Sequence, residues 1–218
     1  MSSTLVTTHT PFETPIHVLD LPDMESLNGV IERLLLAEAM RGQSLRVSNR
    51  GGWHSPPDLA LRSGTPYQTL CDTLAEHFRN ATAAAADRVG IELPPFRLAL
   101  TAWAMVMGPG HYTTLHDHAE ATWSSAYYVQ AGDPAPYEMP AAGTLAFVDP
   151  RRATPSVRGI DLFPSAFEVT PRTGRLVIFP GYLQHYVHPY LGRRPRISIA
   201  ANVVVQATPQ TAQTEPPT

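Results

Sequence analysis

The sequence predicts an α+β protein: two amphipathic helices first, then about eight short strands that close into a sheet sandwich or barrel. Three observations carry this reading. Before residue 90 apolar residues recur at three- and four-residue steps, and from Phe96 onward they give way to short segments rich in Val, Ile, Phe, Tyr and Trp. The chain also holds 22 prolines, about twice the average share, which punctuate those segments together with 14 glycines. A length of 218 residues suits one core rather than two.

Taken in order, residues 1–14 are polar, threonine-rich and without a hydrophobic period, and they read as a flexible arm. A single domain is expected over 15–205. Ile16 to Leu21 alternates like a short strand, and Asp23 is placed to cap a helix carrying Leu27, Val30, Ile31, Leu34, Leu35 and Ala39, which Gly42 ends. In the second helix Thr65 is the cap, Pro66 opens the first turn, Leu70, Leu74, Phe78 and Ala85 form the apolar face, and Gly90 stops it. The strands follow at 97–107, 111–118, 123–130, 144–148, 166–170, 175–180, 185–189 and 196–205. Residues 206–218, QATPQTAQTEPPT, read as a disordered tail.

Composition removes several chemistries. All 16 basic residues are arginine, so a Schiff-base lysine, a lysine general base and a P-loop are excluded. A net charge of −3 provides no field for nucleic acid or an anionic membrane. Cys71 is the single cysteine, which rules out an intrachain disulfide, a Cys-rich zinc site and an iron–sulfur cluster, and its place beside the helix face predicts a small buried side chain. No signal peptide and no membrane span are read, so a cytoplasmic protein is expected. The oligomeric state is not legible.

Of nine histidines, His116 and His118 in LHDHAE and His185 in FPGYLQH stand where a metal could use them. Alternation on a strand turns His116 and His118 to one face, where two imidazoles can grip one ion. His185 from a distant strand would complete a facial set of three with positions left open, the arrangement an iron(II) oxygenase needs. Glu120 is a rival to His118, and His111 and His188 lie close enough in sequence to offer a different subset.

The runs HDHAEATWSSAYYV, GTLAFVDPR, VTPRTGRLVIFPGYLQHYVHP and RPRISIAANV, with SNRGGWHSPPDL upstream, resemble a bacterial 2-oxoglutarate and iron(II)-dependent oxygenase family with a His-x-His pair. The similarity runs from about Ser48 to Val205. It implies a double-stranded β-helix, with Fe(II) as metal, 2-oxoglutarate as co-substrate, molecular oxygen as oxidant and a small-molecule substrate. On this resemblance Arg196 and Ser198, alternate residues of one strand, hold the distal carboxylate of 2-oxoglutarate, which suits a bidentate guanidinium. Asn202, farther along the same face, touches the co-substrate or pairs with backbone. The wider superfamily more often has an acid at the third motif position, where this chain has His118, so a three-histidine set is the first reading. No catalytic residue beyond the metal ligands is expected.

For the primary substrate, Asn49, Trp53 and His54 are the candidates in a loop over 49–57, with a lid or a core plug as the alternative for Trp53 and His54. Of Tyr127 and Tyr128 one must face the barrel interior, and Tyr128 is the candidate, as a substrate contact or as core. Arg151 and Arg152, after Asp149-Pro150, either neutralise an acidic substrate or sit in solvent. The rival enzyme reading is a cupin-type three-histidine metalloenzyme that does not use 2-oxoglutarate, for which Arg196 has no purpose. A jelly roll that only binds a ligand gives no reason for three inward histidines.

Overall fold

The structure, a computed structural model, describes residues 12–151 and 165–208. Most of the expected arm, most of the expected tail and Arg152 lie outside the described residues. Within them the chain runs β1 (His17–Asp20), α1 (Glu25–Arg41), β2 (Asn49–Arg50), β3 (Trp53–His54), a 3-10 turn (Leu59–Leu61), α2 (Pro66–Val89), β4 (Phe96–Met107), β5 (Tyr112–His116), β6 (Trp123–Gln130), β7 (Leu145–Val148), β8 (Ala166–Val169), β9 (Arg175–Pro180), β10 (His185–Val187) and β11 (Arg196–Ala207). The strands form a six-stranded sheet, β1-β9-β6-β11-β4-β3, and a five-stranded sheet, β2-β5-β10-β7-β8. Every pairing is antiparallel. This is the double-stranded β-helix expected from the sequence, braced by two helices.

Strand alternation sorts the larger sheet into two faces. Trp123, Tyr127, Ile178, Ile197, Ile199 and Ala201 pack against Ile31, Leu35, Leu70, Leu74 and Phe78 of the helices. The opposite face gives Met105, Met107, Tyr128, Val177 and Phe179 to a second core shared with Leu145, Phe147, Val169 and Val187 of the smaller sheet. Tyr127 reaches the helices as well, its hydroxyl donating to Asn28 Oδ1 at 2.9 Å. Cys71 is buried in the helical core, and burial pushes its thiol up to about 11.

Two local expectations are corrected and a third, the Thr65 cap, is met in position only. Asp23 does not cap α1: it adopts a positive φ of 58° in the preceding turn, and the N-cap is Met24, without a side-chain bond. Thr65 is the cap residue of α2, yet its hydroxyl donates to the Arg62 carbonyl instead of serving the helix. Residues 49–54 are not a loop. They form a crossing between the sheets, Asn49 and Arg50 pairing with β5 and Trp53 and His54 with β4. Gly51 and Gly52 make the crossing possible at φ 75° and 69°, where a Cβ would meet the His111 ring at 2.3 Å and the Val106 carbonyl at 2.6 Å respectively.

Candidate active site

Three imidazoles converge between the sheets. His116 ends β5 and His185 opens β10 directly opposite it in the antiparallel register, with ring centroids 4.3 Å apart. His118 lies two residues beyond the end of β5, so strand alternation is not what turns it inward. Its N–H donates to the Gly181 carbonyl at 2.8 Å, its own carbonyl accepts from Ala121 N at 2.8 Å, and this turn brings its ring to 5.1 Å from His116 and 5.3 Å from His185. The ligating atoms of the three all fall within 4.8 Å of one another, close enough to share one ion.

The backbone fixes two of the tautomers. Nδ1 of His116 lies 2.8 Å from the Thr114 carbonyl, and Nδ1 of His185 lies 2.9 Å from the Leu183 carbonyl. A carbonyl only accepts, so each Nδ1 carries the proton and each Nε2 keeps a lone pair for a metal. Burial is the main cause that holds all three rings neutral, with neighbouring imidazoles adding to it for His118 and His185. His185 is pushed down to about 3, His118 to about 4, and His116 below its ordinary value. Glu120 sits exposed in the turn after His118 and outside the convergent group. His111 accepts from Gly108 N at 2.8 Å, and His188 Nε2 lies 3.1 Å from Glu168 Oε1. Neither lines the cleft that holds the convergent group.

That cleft also contains Arg196 and Ser198. Arg196 is 2% exposed. Its guanidinium lies 4.9 Å from the Tyr128 ring centroid, its NH1 has the Met107 sulfur at 3.6 Å, and its Nε has no hydrogen-bond partner. No carboxylate meets it among the described residues. The Tyr128 hydroxyl is equally buried and without a partner. A buried cation with an orphaned donor beside an orphaned hydroxyl is costly unless something anionic fills the space between them.

Of the other sequence candidates, His54 lines the cleft, its ring stacked on Trp103 at 6.0 Å. Tyr128 lines it too, but at the Arg196 end. Three are corrected. Trp53 neighbours His54 and therefore faces the other way, into the helical core. Asn49 turns its amide onto its own segment, Oδ1 accepting from Val47 N at 2.9 Å and Nδ2 donating to the Gly51 carbonyl at 3.3 Å. Asn202 is not a cleft residue; its Oδ1 accepts from the Ser124 hydroxyl at 2.8 Å, and this side-chain pair replaces the backbone contact weighed for it. Arg151 chelates Asp149 at 2.9 and 2.7 Å and is otherwise exposed. Trp103 was missed: it lines the cleft from β4, where apolar residues on both faces hide the alternation.

Residues 101–202 match the model of the family described as "Putative 2OG-Fe(II) oxygenase". Among solved structures, the chain is similar to a prolyl-4-hydroxylase of Pseudomonas putida, with 15% identity, a TM-score of 0.55, and coverage of 89% of this chain and 93% of that one. It is also similar to HygX of Streptomyces hygroscopicus, a structure with nickel and 2-oxoglutarate bound, with 16% identity, a TM-score of 0.57, and coverage of 89% and 84%. A third similarity is to an oxidoreductase of the 2OG-Fe(II) oxygenase family from Burkholderia pseudomallei, with 14% identity, a TM-score of 0.53, and coverage of 88% and 87%. Among curated proteins none matches this sequence. At these identities the structural likeness speaks for the fold.

Proposed function

We propose that the chain, an oxygenase of the 2OG-Fe(II) family through its residues 101–202, holds one Fe(II) on His116, His118 and His185, binds 2-oxoglutarate on Arg196, and hydroxylates a small molecule. In the overall reaction one atom of O2 enters the substrate C–H bond, the other enters succinate, and CO2 leaves. Bound iron supplies the redox chemistry between O2 and the two organic substrates.

The observation that carries this reading is Arg196, an inward guanidinium with no acidic partner among the described residues, in the cleft that gathers the three imidazoles. A dicarboxylate resolves both features, its distal end neutralising the guanidinium while the rest extends toward the metal ligands. The fixed fork of Arg accepts a carboxylate in two parallel hydrogen bonds. The Tyr128 hydroxyl can donate to the same group, so the reading moves this residue from the primary substrate to the co-substrate. Ser198, which pairs in register with Tyr128 on β6, is close enough to share it. The backbone-fixed imidazoles need no proton release to bind a cation. Met105, Met107, Leu145 and Val187 keep water from this end and so strengthen the carboxylate pairing.

Anaerobic reconstitution with Fe(II) and 2-oxoglutarate tests the proposal. A weak visible charge-transfer band should form only with both present, and succinate should appear when O2 is admitted. Iron binding that ignores 2-oxoglutarate supports the cupin-type reading instead.

A further inference from the structure

The cleft has a closed end and an open end, and the strand register tells them apart. Arg196 stands opposite Met107, Ser198 opposite Met105, and Ala200 opposite Trp103. Arg196 and Met107 are 2% and 1% exposed, Ser198 and Met105 are both 8% exposed, and Ala200 and Trp103 are half-buried. Burial therefore thins over four residues of β11, about 13 Å of strand. Val47, at 64% exposure, marks the rim. The His118 ring stands 5.6 Å from Trp103, so the imidazole cluster borders the open end. A co-substrate anchored on Arg196 fills the closed end, and the molecule to be oxidised must come in past Trp103.

Two side chains there lack an assigned task. Trp103 is half-buried and faces the cleft, whereas Trp53 and Trp123 are buried in the helical core. His54 packs nearly parallel to the Trp103 indole, with 11° between the planes, and this fixes the attitude of the platform. His54 Nδ1 lies 2.7 Å from the Ser55 carbonyl and so carries the ring proton. Its Nε2 is an acceptor with no protein partner among the described residues. Among the described residues no Asp or Glu lines the cleft. An ammonium group would find no counter-charge, and a carboxylate would meet a lone pair; a hydroxyl satisfies Nε2 without either cost.

We propose that Trp103 and His54 form the primary-substrate subsite, Trp103 as a platform for a ring face and His54 Nε2 as acceptor for a hydroxyl beside that ring. The substrate class is then a small, uncharged, hydroxyl-bearing ring compound. This inference rests on the oxygenase reading above, because the closed end must be taken by 2-oxoglutarate.

The probes are benzyl alcohol and benzyl methyl ether, which differ in the donor. Binding is read under argon as the saturable broadening of the probe methylene signal by protein loaded with Fe(II) and 2-oxoglutarate. Wild-type protein should bind the ether about three- to tenfold more weakly than the alcohol, the size of one hydrogen bond. His54→Phe keeps a stacked ring and should erase that preference. Trp103→Phe should hold the alcohol within about threefold of wild type, and Trp103→Leu should lose about tenfold. Equal binding of alcohol and ether to wild-type protein, a preference that survives His54→Phe, or undiminished binding to Trp103→Leu each overturns the inference. The first comparison needs no variant to fold. Protein that fails to load iron and 2-oxoglutarate overturns the oxygenase reading before any probe is added. Protein that loads both and ignores benzyl alcohol overturns only the subsite.

Discussion

Gly181 follows the β9 terminus at Pro180, and its backbone clasps the turn that carries His118. The Gly181 carbonyl accepts from His118 N, and Gly181 N donates to the Thr122 carbonyl at 3.2 Å. A Cβ at this position would stand 2.2 Å from the Ala121 carbonyl oxygen and 2.6 Å from that of His118. Non-bonded contact of this kind is comfortable only near about 3.5 Å, so Gly181→Ala must push the 118–121 turn back by about 1 Å. Both obstacles are backbone atoms, and no rotamer change relieves them. Metal–nitrogen bonds of about 2.1 Å tolerate errors of about 0.2 Å, so a displaced His118 cannot keep its place in a three-imidazole set. We expect iron affinity to fall about 10- to 100-fold, the range for losing the support of a ligand. The fold should lose only about 1 kcal/mol, the worth of one backbone hydrogen bond. The assay is an anaerobic Fe(II) titration in the presence of 2-oxoglutarate, with Gly64→Ala as the control. Gly64 has φ +67° and no atom within 4 Å of the added Cβ, so this change strains the backbone without touching the site. Iron affinity in Gly181→Ala within twofold of wild type would refute the reasoning.

His116→Ala and His185→Ala should each purify without iron under conditions that leave about one iron per wild-type chain, as metal analysis will read. Arg196→Ala should weaken 2-oxoglutarate by about 2–4 kcal/mol, roughly 30- to 1000-fold in Kd, with Arg196→Lys intermediate; calorimetric titration of the iron-loaded protein measures both. Arg196→Met should raise the Tm of the ligand-free protein while removing the stabilisation that 2-oxoglutarate adds, because an unpaired buried cation costs more than a thioether of similar length. Trp53→Ala should cost about 3–5 kcal/mol in denaturant unfolding and leave the 2-oxoglutarate affinity of the folded fraction unchanged, as befits a core side chain. Metal-free protein should lose stability as pH falls from 6.5 toward 4. The folded state holds His118 and His185 down near 4 and 3, so across that window the unfolded chain binds more protons. Chemical denaturation at stepped pH checks the sign.

What the sequence made legible follows from what strand alternation does and does not encode. The β-rich half could be read because Val, Ile, Phe and Tyr cluster between Pro and Gly, and Trp123–Gln130 and Arg175–Pro180 coincide with the expected strands. The three histidines do converge, although alternation explains only part of it. The strand ends at His116, and His118 comes inward through a backbone clasp with a glycine 63 residues away, which no local pattern contains. Trp53 and His54 were hidden for the opposite reason. Their alternation is strict, but it shows only once two glycines at positive φ are known to carry the chain from one sheet to the other.

Asn202 shows the remaining gap between knowing a face and knowing a depth. It shares the parity of Arg196 and Ser198, so alternation alone gives it the same standing. Six residues of strand separate it from Arg196, about 20 Å. Period two assigns a side; only the opposing sheet decides how far along that side the cavity runs. Arg196, Ser198 and Ala200 line the cleft and Asn202 does not; the residue that looked like a third co-substrate contact bonds to Ser124 instead. By the same logic Trp103, whose parity the apolar strand around it conceals, belongs at the rim, because Ala200, its partner in the register, is where the cover thins.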